Sequence, residues 1–542
     1  MNKVVIFGID GASPKLIEEW RDELPNLKRI MEGGVYGKLE STMPPVTCPA
    51  WPCMFTGKNP GKLGMYGFIS IQPSGEHHVK IRTSRDYHQW SLWKILNSYG
   101  IAVGLLNVAM TFPPHKIDSF MVCGLGAPVS TKASYTYPAS LKKELNKAVP
   151  GYEVFPPIST DILGREEQYK AVLEQEVRNR VKAARYLMNA FPWQLLVSVF
   201  FAVDTAQHYF WHHMDHTHPR HNGERYRNVI KDLYKMVDAG IGELMDELPA
   251  ETNVLIVSDH GFGPCHGSLT LDKWLEKQGF LTLLPSPGDE PESSWLWRAR
   301  DFLFRFLMSK PRVAHLIARI IPESLSMKLS HRAKLSYDLT RLSRNIDWAQ
   351  TKAYPEGNTG TIRINLKGRE PSGIVEPGQE YNQVVDDIAD RLKKLTDPKT
   401  GKSLDVTVFK RDAIYHGDYT NLGPDIVFFI DKYMPVPSEG QQPEWGEHTW
   451  SGQHARHGIF MACGPDIKRS GEKLANLKIY DISPTVLHLF GLPVLEDVDG
   501  RVLSEIFEPN SEPGRRPVAY EMAGEKDRVK GKIKRLKDSD VI

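Results

Sequence analysis

The chain is organised around residues 44–67, which read PPVTCPAWPCMFTGKNPGKLGMYG. Pro45 and Pro49 bracket a threonine, Thr47, and both prolines disfavour regular helix or strand pairing beside it. A short helix is predicted to follow and to end at Gly57. Thr47 then lies just before the helix N-terminus, where free backbone N–H groups and the helix dipole favour an anion such as phosphate. Threonine is also a common helix cap, so this residue alone indicates a helix boundary as readily as a nucleophile.

Length and composition indicate a globular protein with one large domain and insertions. The chain has 542 residues and a formal net charge of +2, so its bulk charge does not predict nucleic-acid binding. Its five cysteines are scattered and odd in number, which favours a reducing compartment without disulfides or a cysteine-based metal site. The N-terminus runs straight into an apolar strand, and no apolar run reaches the length of a membrane span. We therefore predict a soluble, cytoplasmic protein.

Strand and helix patterns alternate along most of the chain, which is typical of a layered α/β domain. Unbroken apolar runs at Val4–Ile9, Ile101–Val108 and Leu195–Val203 predict strands that are buried on both faces. Arg225–Leu248 has the period of an amphipathic helix, and the strand NVLIVS follows it. In α/β proteins the ligands bind where such strands end.

Carboxylate and imidazole side chains follow these predicted strands. Asp10 ends the first strand, although Asp-Gly is also an ordinary turn. The segment VDTAQH places Asp204 and His208 four residues apart, so that both lie on one face of a helix and can bind one divalent ion. Asp259 and His260 follow the strand NVLIVS, and the glycines beside them allow both side chains to turn towards one ion.

Further histidines follow in two polar segments. A glycine-flanked turn, SGQHARHG, carries His454 and His457 just before the predicted strand Ile459–Cys463. A histidine-rich stretch follows His208, and we predict that it forms a polar loop in which His212 is a candidate for lining the site; its histidines are His212, His213, His216, His218 and His221. The side chains at the strand ends supply oxygen and nitrogen ligands without thiolate, which suits Zn²⁺ or Mn²⁺; they are Asp10, Asp204, His208, Asp259, His260 and His454. Six ligands suffice for two ions, which can stabilise the attacking and leaving oxygens of a phosphoryl transfer and activate Thr47.

Residues 285–345 differ from the rest of the chain. The segment WLWRARDFLFRFLMSKPRVAHLIARIIP (295–322) is both apolar and basic. We predict an inserted basic helical subdomain; a lid over an anionic substrate and a peripheral membrane contact through 295–322 are the functional alternatives. The predicted catalytic core then consists of residues 1–284 and 346–507, followed by a C-terminal tail at 508–542.

The order of the motifs GID, PPVTCPAWPCMFTGKNPGKLG, VDTAQH, SDHG and GQHxxxGIF resembles the alkaline phosphatase superfamily. Within it, the chain is most similar to the type I phosphodiesterase/nucleotide pyrophosphatase family. The resemblance extends from Met1 to about Phe507, apart from the insertion. It implies a three-layer α/β/α sandwich with a largely parallel central sheet, here with an inserted helical cap. It also implies two divalent metal ions, commonly zinc, and a covalent phospho-threonine intermediate.

The resemblance also implies roles for single residues. One ion would be held by Asp204, His208 and His454, with His457 as the alternative to the last of these. The other ion would be held by Asp10, Asp259, His260 and the Thr47 oxygen. The family's asparagine that helps to hold a phosphoryl oxygen is Phe68 in this chain. Asn107 or a backbone N–H is therefore expected to take that role, and Phe68 together with Tyr66 is a candidate for stacking on a substrate ring.

These features lead to a functional hypothesis with alternatives. We predict a two-metal phosphohydrolase of the phosphodiesterase/nucleotide pyrophosphatase type, with Zn²⁺ preferred and Mn²⁺ as the alternative. Its expected partner is a small phosphate ester, such as a nucleotide or a phospholipid head group, and not nucleic acid as such. The alternatives are a phosphomonoesterase or phosphomutase/phosphotransferase at the same site, or a non-catalytic scaffold stabilised by metal. A sulfatase is disfavoured because CPAWP, which begins at Cys48, lacks the arginine of the sulfatase motif.

Overall fold

The structure is a computed structural model that describes most of the chain. It covers residues 3–71, 79–128, 134–155, 164–284, 346–357, 359–437 and 443–522. The inserted subdomain predicted at 285–345, with its membrane contact at 295–322, lies outside the described residues. Within the described part, no helix combines the length and the apolar character that crossing a membrane requires.

A nine-stranded mixed sheet forms the centre of the molecule. Its strands in spatial order are Glu472–Lys478, Val35–Glu40, His457–Cys463, Thr252–Val257, Lys3–Ile9, Leu195–Phe200, Val103–Val108, Ser119–Cys123 and Thr136–Tyr137. The five strands from Thr252–Val257 to Ser119–Cys123 run parallel to one another. His457–Cys463 is antiparallel to both of its neighbours. The predicted α/β class is confirmed, with the parallel strands concentrated in the middle of the sheet.

Helices cover the sheet in two packed groups, as the predicted three-layer sandwich requires. Central strands are apolar on both faces, as the fully buried run from Val4 to Phe7 illustrates, so each face needs a cover. One group consists of Pro25–Gly33, Glu166–Ala190, Ala202–Met214 and Val229–Asp246, and the other consists of Thr47–Thr56, Leu92–Ser98 and Ile482–Leu489. A Cβ at Gly8 would lie 2.5 Å from the indole of Trp51. Glycine at this position therefore lets the Thr47–Thr56 helix pack directly on a central strand.

Two differences from the predicted element boundaries affect residues of the candidate site. The strand predicted at Leu195–Val203 ends at Phe200, and the helix Ala202–Met214 begins directly after it. Thr47 is the first residue of its helix and does not precede it, and Val46 occupies the capping position. Cys48 departs from helical geometry, with φ −109° and ψ 111°, because the residue before a proline is pushed out of the helical region.

A second sheet with its own hydrophobic core forms from residues on both sides of the insertion. Its strands in order are Ala353–Pro355, Thr361–Ile364, Ile426–Ile430, Tyr433–Val436, Gly267–Thr270 and Trp445–Gly446, and Val406–Lys410 pairs with Ile426–Ile430. The helices Leu271–Lys277 and Gln379–Leu392 bury Trp274 and Ile388 in this core. The sequence pattern did not distinguish this sheet from the central one, because its strands are short and resemble the other strands locally.

The segment before residue 523 also packs against the body of the protein. Tyr520–Glu521 pairs in parallel with Val494–Leu495, and Pro513 is buried in the short helix Glu512–Arg515. The segment up to residue 522, which the sequence analysis assigned to a tail, is therefore attached to the core. Further α-helices of the described residues are Pro14–Glu19, Pro60–Leu63, Leu141–Ala148 and Arg411–Ile414.

Candidate active site

The six predicted ligands meet at one edge of the central sheet. They follow the carboxyl ends of three adjacent parallel strands, Thr252–Val257, Lys3–Ile9 and Leu195–Phe200. The exception is His454, which lies on the strand Gly452–Ala455. This strand pairs antiparallel with Gly261–Pro264, which places His454 opposite Phe262. Because neighbouring parallel strands end at the same edge, residues that are far apart in sequence converge there.

The first cluster contains Asp10, Asp259, His260 and Thr47. The ligand atoms of the two aspartates and His260 all lie within 4.8 Å of one another. The Nε2 atom of His260 lies 3.3 Å from Asp259 Oδ2 and 3.6 Å from Asp10 Oδ1. The Thr47 hydroxyl oxygen lies 3.4 Å from the same Nε2 atom. The candidate nucleophile is thus part of this cluster, and its side chain is buried.

The second cluster contains Asp204, His208 and His454. Asp204 Oδ1 lies 3.7 Å from His208 Nε2 and 3.4 Å from His454 Nε2, and the two Nε2 atoms lie 3.0 Å apart. His260 Nε2 lies 4.0 Å from Asp204 Oδ1, so the two clusters adjoin. Asp204 and His208 reach one point because a spacing of four residues places them on the same face of the Ala202–Met214 helix.

In each of the three histidines, the Nδ1 atom forms a hydrogen bond with a backbone carbonyl. His208 donates to Gly452 O at 3.1 Å, His260 to Gly261 O at 3.1 Å, and His454 to Pro45 O at 3.0 Å. A carbonyl only accepts, so Nδ1 carries the proton in each neutral ring and Nε2 presents a lone pair. This arrangement, with a backbone acceptor behind the ring and a bare nitrogen in front, is usual for metal-binding histidines.

The carboxylates also present unsatisfied atoms to the same space. In the described structure, each aspartate of the two clusters has one buried oxygen without a hydrogen-bond partner: Asp10 Oδ1, Asp204 Oδ1 and Asp259 Oδ2. Burial raises the pKa of the Asp10 and Asp259 carboxyls well above the ordinary range, and the neighbouring carboxylates raise both further. Burial also lowers the pKa of His208 to about 4, so its imidazole is neutral near neutral pH. Such a set of acceptors without donors fits divalent cations, since bound cations would satisfy every one of them.

Two residues that the sequence analysis did not assign to the site position the aspartates. The Trp51 Nε1–H donates to Asp10 Oδ2 at 2.8 Å, and the Gly11 N–H donates to Asp259 Oδ1 at 3.3 Å. Gly11 has φ +69°, and a Cβ there would lie 2.9 Å from the Phe262 ring and 3.1 Å from Asp204 Oδ1. Both residues belong to motifs quoted in the sequence analysis. The aspartates that they contact are distant in sequence, so no local pattern indicated these contacts.

The structure distinguishes the two late histidines. His454 contacts His208 and Asp204, as described above, whereas His457 is exposed and begins the strand His457–Cys463. Only two residues lie between them, and the chain changes from one strand to the next there. His457 therefore faces solvent, and the preference for His454 agrees with the geometry.

The predicted substrate-contact residues have other contacts in the structure. Asn107 is fully buried, its amide donates to Val154 O at 2.5 Å, and its amide oxygen accepts from the Tyr152 hydroxyl. Its role as a phosphoryl donor stays a prediction, because both ends of the amide already hold this loop. Tyr66 is buried against Tyr415 with ring centroids 4.8 Å apart, which excludes it from stacking on a substrate. Phe68 is half-buried and packs on the main core, so it remains a candidate.

Comparisons with known proteins agree with this geometry. The family model described as type I phosphodiesterase/nucleotide pyrophosphatase matches residues 4–459, a range that includes every residue of the two clusters. A search of curated proteins found no match.

Solved structures with a similar chain include members of the ectonucleotide pyrophosphatase/phosphodiesterase 5 group. An inactive murine variant in complex with AMP has 14% sequence identity and a TM-score of 0.49, and the alignment covers 94% of this chain and 100% of that one. A second structure of the murine protein has 14% identity and a TM-score of 0.47, and the alignment covers 93% of this chain and 100% of that one. The human protein has 14% identity, a TM-score of 0.47 and coverage of 94% and 100%. The family match spans most of the 542 residues, and the chain therefore belongs to the type I phosphodiesterase/nucleotide pyrophosphatase family, as a hydrolase of phosphoric esters.

Proposed function

We propose that this protein hydrolyses small phosphodiesters at a site for two divalent metal ions, with Thr47 as the nucleophile. The observation that carries the proposal is the convergence of three Nε2 lone pairs, left by Nδ1 atoms that face carbonyls, with three carboxylate oxygens that have no hydrogen-bond partner in the described structure. His208 Nε2 and His454 Nε2 lie 3.0 Å apart with both Nδ1 protons committed to carbonyls. Two lone pairs at this distance repel each other unless a cation lies beside them.

The donor set supports two ions with separate ligands. Asp204, His208 and His454 would hold one ion, and Asp10, Asp259, His260 and the Thr47 oxygen would hold the other. Nitrogen and oxygen ligands without sulfur suit Zn²⁺ and also accept Mn²⁺. When bound, such ions lower the pKa of a coordinated hydroxyl and neutralise charge on phosphoryl oxygens.

The protein's own residues then account for the remaining requirements. Thr47 stands in the first turn of its helix, where unpaired backbone N–H groups and the helix dipole favour the negative phosphoryl group. The Thr47 oxygen would form a bond to phosphorus while the bond to the leaving oxygen breaks, and the alcohol would take up the hydroxyl proton. Water would then attack the phospho-threonine, releasing the phosphate monoester and restoring Thr47. Trp51 and Gly11 hold Asp10 and Asp259 in place during both steps.

The substrate is proposed to be a nucleotide or a phospholipid head group. The family's name supports a nucleotide, and the half-buried ring of Phe68 offers a stacking surface for a base. Gly67 O accepts from the Cys48 thiol at 3.2 Å, so the residue before Phe68 contacts the residue after Thr47. A ring stacked on Phe68 would thus lie near the nucleophile.

The test compares hydrolysis of bis-p-nitrophenyl phosphate and p-nitrophenyl phosphate by the full chain. Each assay is run after metal stripping and after Zn²⁺ or Mn²⁺ is added back. We expect metal-dependent activity with a preference for the diester. A preference for the monoester would indicate a phosphatase or mutase at the same site, and metal-dependent binding without hydrolysis of either ester would indicate a scaffold.

Variants of one helix test the nucleophile. Thr47→Ala should lower kcat by about 1,000-fold or more, because no other hydroxyl replaces it. Thr47→Ser should keep a measurable fraction of the activity and yield a phosphopeptide at residue 47 after acid quenching. Thr56→Ala is the matched control, since its hydroxyl contacts backbone groups around the end of the helix: it donates to Pro52 O and accepts from the Lys58 N–H. A Thr47→Ala enzyme within about twofold of the parent would contradict the proposal.

A further inference from the structure

The loop after the active-site helix brings together a third group of metal-ligating side chains. The loop comprises residues 215–228 and joins the helix Ala202–Met214 to the helix Val229–Asp246. One ligand atom from each of His216, His221 and Glu224 lies within 4.8 Å of the other two. His216 Nδ1 lies 3.3 Å from His221 Nε2. None of these residues belongs to the two clusters of the candidate active site.

His221 is oriented as a ligand by the active-site helix. Its Nδ1–H donates to His212 O at 3.0 Å. His212 lies in the last turn of the Ala202–Met214 helix, where backbone carbonyls have no partner within the helix. With the proton on Nδ1, the Nε2 atom of His221 presents its lone pair towards His216 and Glu224. The three histidines of the candidate active site are oriented by carbonyls in the same way.

The loop holds this arrangement without a metal ion. The Thr217 N–H donates to Asp215 Oδ1 at 2.9 Å, and the His221 N–H donates to His218 O at 2.9 Å. The His218 ring donates from Nε2 to Cys265 O at 2.7 Å, which attaches the loop to the segment that follows the Gly261–Pro264 strand. A loop shaped by its own hydrogen bonds loses little further conformational entropy when an ion binds.

We propose that His216, His221 and Glu224 form a third divalent metal site, suited to Zn²⁺, that fastens this loop to the active-site helix. Two imidazole nitrogens and one carboxylate oxygen, with a position left for water, form a common zinc ligand set. His216 and Glu224 are exposed, so the ion reaches the site directly from solvent. The inference goes beyond the proposed function, because it concerns different residues and a positioning role.

One neighbouring side chain competes with the ion. Arg227 forms an ion pair with the Glu224 carboxylate across one turn. Zinc binding must displace this contact or share the carboxylate with it. Removing the guanidinium therefore tightens zinc binding, by about two- to fivefold if the exposed ion pair has the usual strength. If Glu224 were not a ligand, removing the Arg227 guanidinium would leave the zinc affinity unchanged.

The experiment counts zinc in the metal-stripped full chain after titration with Zn²⁺ and removal of free ion. We expect the parent to bind one Zn²⁺ per chain more than His216→Ala, whatever number the active site holds. Arg225→Ala is the matched control, since this exposed residue lies next to Glu224 and is not a ligand; it should bind as many ions as the parent. Arg227→Gln should bind the additional ion more tightly.

A second measurement reports on the loop itself. Bound Zn²⁺ should slow tryptic cleavage after Arg225 in the parent but not in His216→Ala. Equal zinc counts for the parent and His216→Ala, or an equal decrease in Arg225→Ala, would overturn the third site. The result is a difference in zinc count between two variants, so it does not depend on how many ions the candidate active site binds. The third site and the proposed two-metal active site can therefore be disproved independently of each other.

Discussion

Substitution of Asp10 by asparagine separates the metal-binding role of this residue from its structural role. Asp10 Oδ2 accepts a hydrogen bond from Trp51 Nε1 at 2.8 Å, and Oδ1 has no partner in the described structure. Asparagine has nearly the same shape, so its amide oxygen can keep the tryptophan contact. Its NH₂ group would then face His260 Nε2, an acceptor that lies 3.6 Å from the present Oδ1. We expect Asp10→Asn to fold normally and to lose metal.

The magnitude follows from the neighbouring charges. The ligand oxygens of Asp10 and Asp259 lie within 4.8 Å of each other. Two unit charges at this distance repel by about 3 kcal/mol at an effective dielectric constant of about 20. At a pH at which both are ionised, removing one charge should stabilise the metal-free protein by up to this amount, or by about 3 °C in Tm for a chain of this size. In contrast, if the variant binds zinc about 100-fold more weakly, the stabilisation that saturating zinc provides decreases by about 2.7 kcal/mol.

The assay is thermal unfolding of metal-free and zinc-loaded protein at several pH values from about 7 to about 9, because burial raises the pKa of Asp10 and Asp259 above that of an ordinary aspartate. Asp238→Asn is the control, because this buried carboxylate accepts from the N–H groups of Asn26 and Leu27 at 3.2 and 2.7 Å. The control should lower Tm in both states by a similar amount and leave the zinc-induced shift unchanged. A metal-free Asp10→Asn protein that is less stable than the parent, or one with the full zinc-induced shift, would refute the reasoning.

Three further predictions concern the same site. Trp51→Phe removes the N–H that orients Asp10, so zinc affinity measured by competition with a chelator should fall about 10- to 100-fold, while a fall below twofold would contradict this role. Gly11→Ala places a Cβ against Phe262 and Asp204 at φ +69° and should lower the free energy of unfolding, measured with a denaturant, by about 2–3 kcal/mol. The control Gly100→Ala, at φ +73° with open space around it, should lower it by about 1 kcal/mol or less. Equal losses in the two variants would rule out the steric explanation. Burial raises the pKa of Asp10 and Asp259, so the metal-free site takes up protons at a higher pH than ordinary aspartates do. Protons then compete with zinc as the pH falls, and the dissociation constant from equilibrium dialysis should rise between about pH 8 and about pH 5.5, with a smaller rise in Asp10→Asn.

The buried network behind Asn107 illustrates why site roles are difficult to assign from position alone. The Arg180 guanidinium donates to the Tyr152 hydroxyl at 2.6 Å, and that hydroxyl donates to Asn107. Asn107 lies one residue before the end of the strand Val103–Val108 and adopts the left-handed region, with φ 59°, which its position in the sequence does not reveal. A polar residue at a strand end can therefore hold a loop as readily as it contacts a substrate.

Local sequence was sufficient for the features that depend on neighbours along the chain. The apolar runs at Val4–Ile9 and Leu195–Val203 predicted buried strands because two-sided burial leaves no polar face. The spacing of Asp204 and His208 placed both on one helical face, because the period of a helix is independent of its surroundings. The order of the motifs indicated the family, which the family match confirmed.

Tertiary structure alone decided which of these groups meet. His454 contacts His208, which is 246 residues away in sequence, and Trp51 contacts Asp10 across 41 residues. These contacts depend on the order of strands in the sheet and on the ribbon formed by Gly261–Pro264 and Gly452–Ala455. The second sheet, built from both sides of the insertion, arises in the same way. Local periodicity specifies the face that a residue occupies, but strand order and register are set by long-range packing, so only the folded chain determined the site's geometry.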